Sequence, residues 1–174
     1  IKIKRMSDNK EIIKLTKNLY ETNKNAPGYV VANAIYSPSY LSFDYALAYY
    51  GLIPEAVYTY TSATFGKGKK KLYKNDFGTY TYRDVPTHIY PYGLQDYSYV
   101  MATPEKALCD KLYTLKVVRN KKDMYDLLFN DLRIDMDVLK RLDFNVLYTL
   151  CDNYGSTNMK YLKKVLGDLD ENNS

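Results

Sequence analysis

The clearest periodicity in the chain lies at Phe43, Ala46, Leu47 and Tyr50, which fall at i, i+3, i+4 and i+7 and so form one apolar face of a core-packed helix. Ser42 stands where an N-cap belongs, Asp44 sits in the first turn where the helix dipole favours negative charge, and Gly51 followed by Pro54 supplies the stop. Residues 56–65, 77–85 and 97–102 are dense in Tyr, Thr, Val and Ser and predict strands of a largely antiparallel sheet. Thr103-Pro104-Glu105 then opens a second long helix, with Thr as N-cap, Pro at the first helical position and Glu near the positive end. Its inner face is Ala107, Leu108, Leu112 and Leu115. Further helical patterns run over 122–132, 137–142 and 145–153, and Ser156 caps a last helix whose apolar side is Met159, Leu162, Val165, Leu166 and Leu169.

The first residues read differently. Residues 2–6 look like the end of a basic helix, Ser7-Asp8-Asn9-Lys10 is a turn signal, and residues 11–16 and 19–22 read as two short strands. They join at Lys17-Asn18, where Asn tolerates the left-handed backbone that a tight turn needs. A basic helix end followed by a basic hairpin is how a winged helix-turn-helix finishes. Residues 23–28, ending in Pro27-Gly28, are the expected linker, which divides the chain into a short segment, 1–25, and a body, 26–174. The expected class is α+β: a largely antiparallel sheet with packed helices and a helical C-terminal part, preceded by the remnant (wing hairpin) of a winged helix-turn-helix.

Charge sharpens this division. The net charge is +5, and within residues 1–24 seven cations (Lys2, Lys4, Arg5, Lys10, Lys14, Lys17, Lys24) face three anions (Asp8, Glu11, Glu21). That stretch therefore carries +4 of the total, which predicts a polyanion-binding appendage on a nearly neutral body. The chain opens on Ile inside a charged amphipathic stretch, and is expected to continue a longer protein. With 21 Tyr and no Trp, tyrosine must carry most of the aromatic packing, and each buried hydroxyl then needs a partner. Two cysteines, Cys109 and Cys151, and one histidine, His88, exclude a disulfide scaffold and the usual zinc patterns, so no metal or cofactor is expected. No apolar run is long enough to cross a bilayer and no signal-peptide pattern occurs, so a cytoplasmic protein without membrane contact is expected.

The chain carries few reactive constellations. No nucleophile elbow, Walker-type loop, dinucleotide fingerprint or zincin motif occurs. Asp84 with Glu105 and Lys106 prompts a nuclease reading, but such sites need Glu and Lys on alternate residues of one strand, whereas here they are adjacent and follow Pro104 at a helix start. A non-enzymatic protein is expected. The loop Gly66-Lys67-Gly68-Lys69-Lys70-Lys71 is the second candidate contact for nucleic acid, because glycines permit close approach and lysines neutralise phosphate. A solvated hairpin tip protected by charge is the simpler reading of the same residues.

Taken in order, Tyr36 to Pro54, Thr61-Ser62-Ala63-Thr64-Phe65, Phe77-Gly78-Thr79-Tyr80-Thr81-Tyr82-Arg83-Asp84 and Ala102-Thr103-Pro104-Glu105-Lys106-Ala107-Leu108-Cys109-Asp110 resemble the AbiEi antitoxins of type IV (abortive infection) toxin-antitoxin systems. The resemblance implies a winged helix-turn-helix that binds inverted repeats in the operon's own promoter. It also implies a following domain that counters a nucleotidyltransferase toxin, typically without a stable complex. Arg5-Met6 and residues 9–21 then look like the end of the recognition helix and the wing, with Asn18 where relatives often have Gly. The candidate DNA contacts are Lys4, Arg5, Lys14 and Lys17, joined by Lys67, Lys69, Lys70 and Lys71 of the glycine loop. A module that captures the toxin directly through a Tyr-rich surface is the alternative, and a nuclease-like enzyme a minor one. Because most of the recognition helix lies before residue 1, the chain is expected to bind promoter DNA weakly, and the full-length protein tightly with a steep salt dependence. Gel shifts at two salt concentrations test this; equally tight binding by both would refute it.

Overall fold

The computed structural model describes residues 2–90, 92–96 and 98–171, and of Asp96 the backbone only. Helix α1 (Lys2–Asp8) leads into the hairpin β1 (Ile13–Thr16) and β2 (Leu19–Glu21). Asn18 takes the left-handed conformation, φ +62, at the turn where Thr16 faces Leu19, as its position predicts. Helix α2 (Gly28–Ile35) follows, then β3 (Ser39–Leu41), α3 (Phe43–Tyr49), β4 (Thr59–Thr64), β5 (Lys71–Asn75), β6 (Gly78–Asp84), β7 (Leu94–Asp96) and β8 (Val100–Ala102). The remainder is helical: α4 (Pro104–Tyr113), α5 (Lys121–Asp126) running into a π turn over Leu127–Asp131, α6 (Met136–Leu139), α7 (Phe144–Tyr154) and α8 (Thr157–Glu171).

The fold is α+β, as the patterning predicts. The larger sheet has the order β5-β6-β4-β3-β8-β7 and is mixed: β3/β4, β5/β6 and β7/β8 are antiparallel, whereas β4/β6 and β3/β8 are parallel. The parallel β4/β6 ladder is the long one, because the polar stretch after β4 contains the strand β5, which the sequence reading takes for loop. Three further elements were not legible. Helix α2 begins at Gly28, the last residue of the expected linker, and continues to Ile35; β3 precedes α3, and β7 precedes β8. Residue 97, expected to start a strand, lies outside the described residues.

Alternation along β6 sorts the two faces of the sheet. Tyr80 and Tyr82 point to the face under α2, and their hydroxyls donate to the carbonyls of Gly28 (3.0 Å) and Ala32 (2.6 Å). Residues two apart on a strand span about 7 Å and residues four apart on a helix about 6 Å, so one pair of tyrosines reaches two successive turns of α2. Gly28 is required at this contact: a Cβ there would lie 2.5 Å from the ring of Tyr60, which stacks on Tyr80 at 5.0 Å. The opposite face, bearing Tyr40, Thr61 and Arg83, is covered by α3 and α4, and α7 and α8 pack behind α4. Asn158, buried on α8, ties this layer together by donating to Leu112 O (2.9 Å) and accepting from Val118 N (2.9 Å). Both cysteines are buried packing residues.

Burial raises the phenols of Tyr80 and Tyr82 well above the ordinary tyrosine range, with neighbouring tyrosines adding to the effect. Above about pH 10 the unfolded chain releases these protons while the folded chain retains them, so stability is lost as pH rises past that value. The two residues together remove about 3 kcal/mol per pH unit. Alkaline titration should show circular dichroism and tyrosinate absorbance changing in one cooperative step. Gradual ionisation of all tyrosines with native dichroism retained would contradict it.

Candidate nucleic-acid interface and the buried charge cluster

The motif at the start of α4 builds the interior rather than a surface. Thr103 caps the helix by accepting from Lys106 N (3.3 Å), and Pro104 occupies the first turn, as predicted. Four residues apart, Lys106 and Asp110 share one helix face, and both are fully buried. Lys106 Nζ lies 2.6 Å from Asp110 Oδ1 and 2.8 Å from the hydroxyl of Tyr154 on α7, which itself donates to Asp110 Oδ1. The other carboxylate oxygen accepts from Tyr40 (2.9 Å) on β3 and from Ser42 Oγ (2.6 Å). The rings of Tyr40 and Tyr154 lie 5.3 and 5.0 Å from the ammonium and complete its surroundings.

Two sequence expectations change here. Ser42 precedes α3 as predicted, but its hydroxyl makes no capping bond, because Asp110 takes it. Lys106 and Asp110 were legible only as helix surface, and their burial was missed; two ionisable residues four apart beside the buried Ala107 and Leu108 were the available signal. Desolvation lowers the ammonium of Lys106 against the opposing pull of Asp110, and raises the phenols of Tyr40 and Tyr154, Asp110 adding to both.

The three residues of the nuclease reading are separated by this arrangement. Lys106 is in the core, Glu105 accepts from Asp143 N (3.2 Å) at the start of α7, and Asp84 lies at the end of β6. Among the described residues no group of three or more His, Cys, Asp and Glu is placed to hold a metal. Asp84 organises the glycine loop instead. Its Oδ2 accepts from the backbone N–H groups of Lys67 (2.9 Å) and Gly68 (2.7 Å), where Gly66 and Gly68 adopt φ +63 and +66.

That anchoring divides the loop lysines. Lys67 turns back onto the protein, with Nζ 3.2 Å from Ser37 O and 5.2 Å from the ring of Tyr36. Lys69, Lys70 and Lys71 remain exposed, as do Lys4 and Arg5 on α1 and Lys14 and Lys17 on the hairpin. The two basic segments are linked through β5: Asn75 at its far end donates to Leu15 O of β1 (3.3 Å), and Lys71 begins it at the loop. Lys71 and Lys74 are exposed on β5, an edge strand about 13 Å long that runs from the glycine loop to the β1 hairpin. No protein-family model matches the chain, and no curated protein matches it. No described helix is long and apolar enough to cross a membrane.

Removing one partner of a buried ion pair strands the other charge, at a cost of about 3–5 kcal/mol. Asp110→Asn should therefore destabilise by about 4 kcal/mol. Lys106→Met should cost less, because the carboxylate keeps three hydroxyl donors, whereas in Asp110→Asn the ammonium keeps only neutral acceptors and the new amide N–H groups face hydroxyls that had donated. Denaturant melts of both single variants and the double variant test this; additive effects would rule out the coupling.

Proposed function

We propose that the chain is a non-catalytic antitoxin and transcriptional autorepressor of the AbiEi type, acting against a nucleotidyltransferase toxin. The observation that carries this reading is the placement of the motif block. Its ordered segments form one interior whose charged residues, Lys106 and Asp110, are spent on each other, while exposed cations gather on the N-terminal helix and hairpin and on the adjoining β5 edge. A surface of exposed lysines and arginines beside a neutral body suits phosphate contacts that position a protein on DNA. This edge would supply backbone contacts, with promoter DNA as the partner and no membrane.

Direct capture of the toxin is the second reading, and the exposed tyrosines favour it. Tyr58 is 88% and Tyr49 58% exposed, and large amphipathic rings of this kind are enriched in protein interfaces.

The test is co-expression of the protein with the nucleotidyltransferase encoded beside it. Restored colony formation without co-purification at micromolar concentration supports the antitoxin reading; restored growth with a stable complex supports capture. Unrelieved toxicity, or no such neighbouring gene, would overturn both. Asp84→Ala, Glu105→Ala should protect as well as the wild type, and loss of protection by this variant in a folded state would reinstate an enzymatic reading.

A further inference from the structure

A cleft of about 370 Å³ opens between the sheet, the start of α3 and the end of α4. Its floor is a row of three residues across neighbouring strands, Leu72 on β5, Thr81 on β6 and Thr61 on β4, which the pairing register places side by side. Arg83 stands two residues further along β6 on the same face, half-buried, with Nη2 donating to Thr114 O (3.0 Å). Lys70 and Lys71 border the cleft at the loop, and Lys111 borders it from α4, where Asp44 pairs with it at 2.6 Å. Four cations thus line the space against one carboxylate, a net charge of +3.

Arg83 is the informative residue. A guanidinium has five N–H donors in a fork that fits two oxygens of a phosphate or carboxylate, and partial burial raises the cost of leaving it without a counter-charge. Among the described residues it makes no ion pair, although every other charge in the cleft wall is either exposed or paired. Leu72, 60% exposed, offers an apolar surface beside it, and the threonines are uncharged. The volume falls in the range of small-molecule sites.

We infer that this cleft binds a phosphorylated small molecule of mononucleotide size, with the phosphate on Arg83 and the hairpin lysines and the less polar body over Leu72. The site lies on the opposite sheet face from α2 and uses none of the N-terminal cations, but it shares Lys70 and Lys71 with the edge proposed to face DNA, so Arg83 is the residue that tells the two apart. A ligand here would hold the loop carrying Lys70 and Lys71 against α4.

Isothermal titration of this chain with AMP, adenosine and inorganic phosphate tests the site. AMP should bind with one-to-one stoichiometry in the micromolar to low millimolar range, phosphate more weakly, and adenosine at least tenfold more weakly than AMP. Arg83→Leu, which keeps much of the apolar stem, should weaken AMP at least tenfold. Should that variant fail to fold, Lys70→Ala, Lys71→Ala on the exposed hairpin carries the test, with a weakening of about threefold expected and none overturning the proposal. No heat from AMP at millimolar concentration, equal binding of AMP and adenosine, or wild-type affinity in folded Arg83→Leu would each sink it.

Discussion

The ion pair between Lys106 and Asp110 is the constraint around which the two layers of the molecule are assembled. A lysine and an aspartate with no solvent contact are tolerable only if the carboxylate is matched by several donors and the ammonium by acceptors and ring faces. Those partners come from places remote in the chain: Tyr40 and Ser42 from β3 and the start of α3, and Tyr154 from the end of α7. None can be satisfied until the sheet, α4 and α7 are mutually in place. The pair is thus weak evidence for stability as such but strong evidence for one arrangement, because a shifted α4 would leave a charge buried and unpartnered.

Tyrosine extends the same principle to the other face. Tyr80 and Tyr82 fill space with their rings and fix the position of α2 with their hydroxyls, an arrangement that Phe at either site would fill without specifying. An abundance of Tyr and an absence of Trp is thereby a feature of how this core is registered. The hydroxyl ends define where each helix sits, while the rings supply the apolar area.

The surface follows from residues that look catalytic in isolation. Asp84 shapes the glycine loop by accepting two backbone N–H groups, turns Lys67 inward and leaves Lys69 to Lys71 facing water. One carboxylate therefore decides which lysines are available to a phosphate. Glu105 likewise serves a helix start, that of α7. The chemistry of these acids is spent on backbone groups, which fits a protein whose proposed role is contact with nucleic acid and control of a toxin.

Helix positions, caps and the hairpin were legible because they depend on neighbours in sequence: Thr103 and Pro104 at α4, and Asn18 in the turn. The strands rich in Tyr and Thr were legible for the same reason, whereas β5, the polar Lys71–Asn75, was not, since only its pairing with β6 makes it a strand. The sequence alone therefore determined the class of fold, the basic N-terminal segment and the face of α4 that carries Ala107, Leu108 and Leu112. Only the tertiary structure decided that β4 and β6 run parallel, that Lys106 and Asp110 are interior, and that Arg83 lines a cleft whose one carboxylate, Asp44, is paired with Lys111. Those facts depend on groups up to 70 positions apart meeting in space, and a local pattern records a residue's own preference but not the partner that will desolvate or neutralise it.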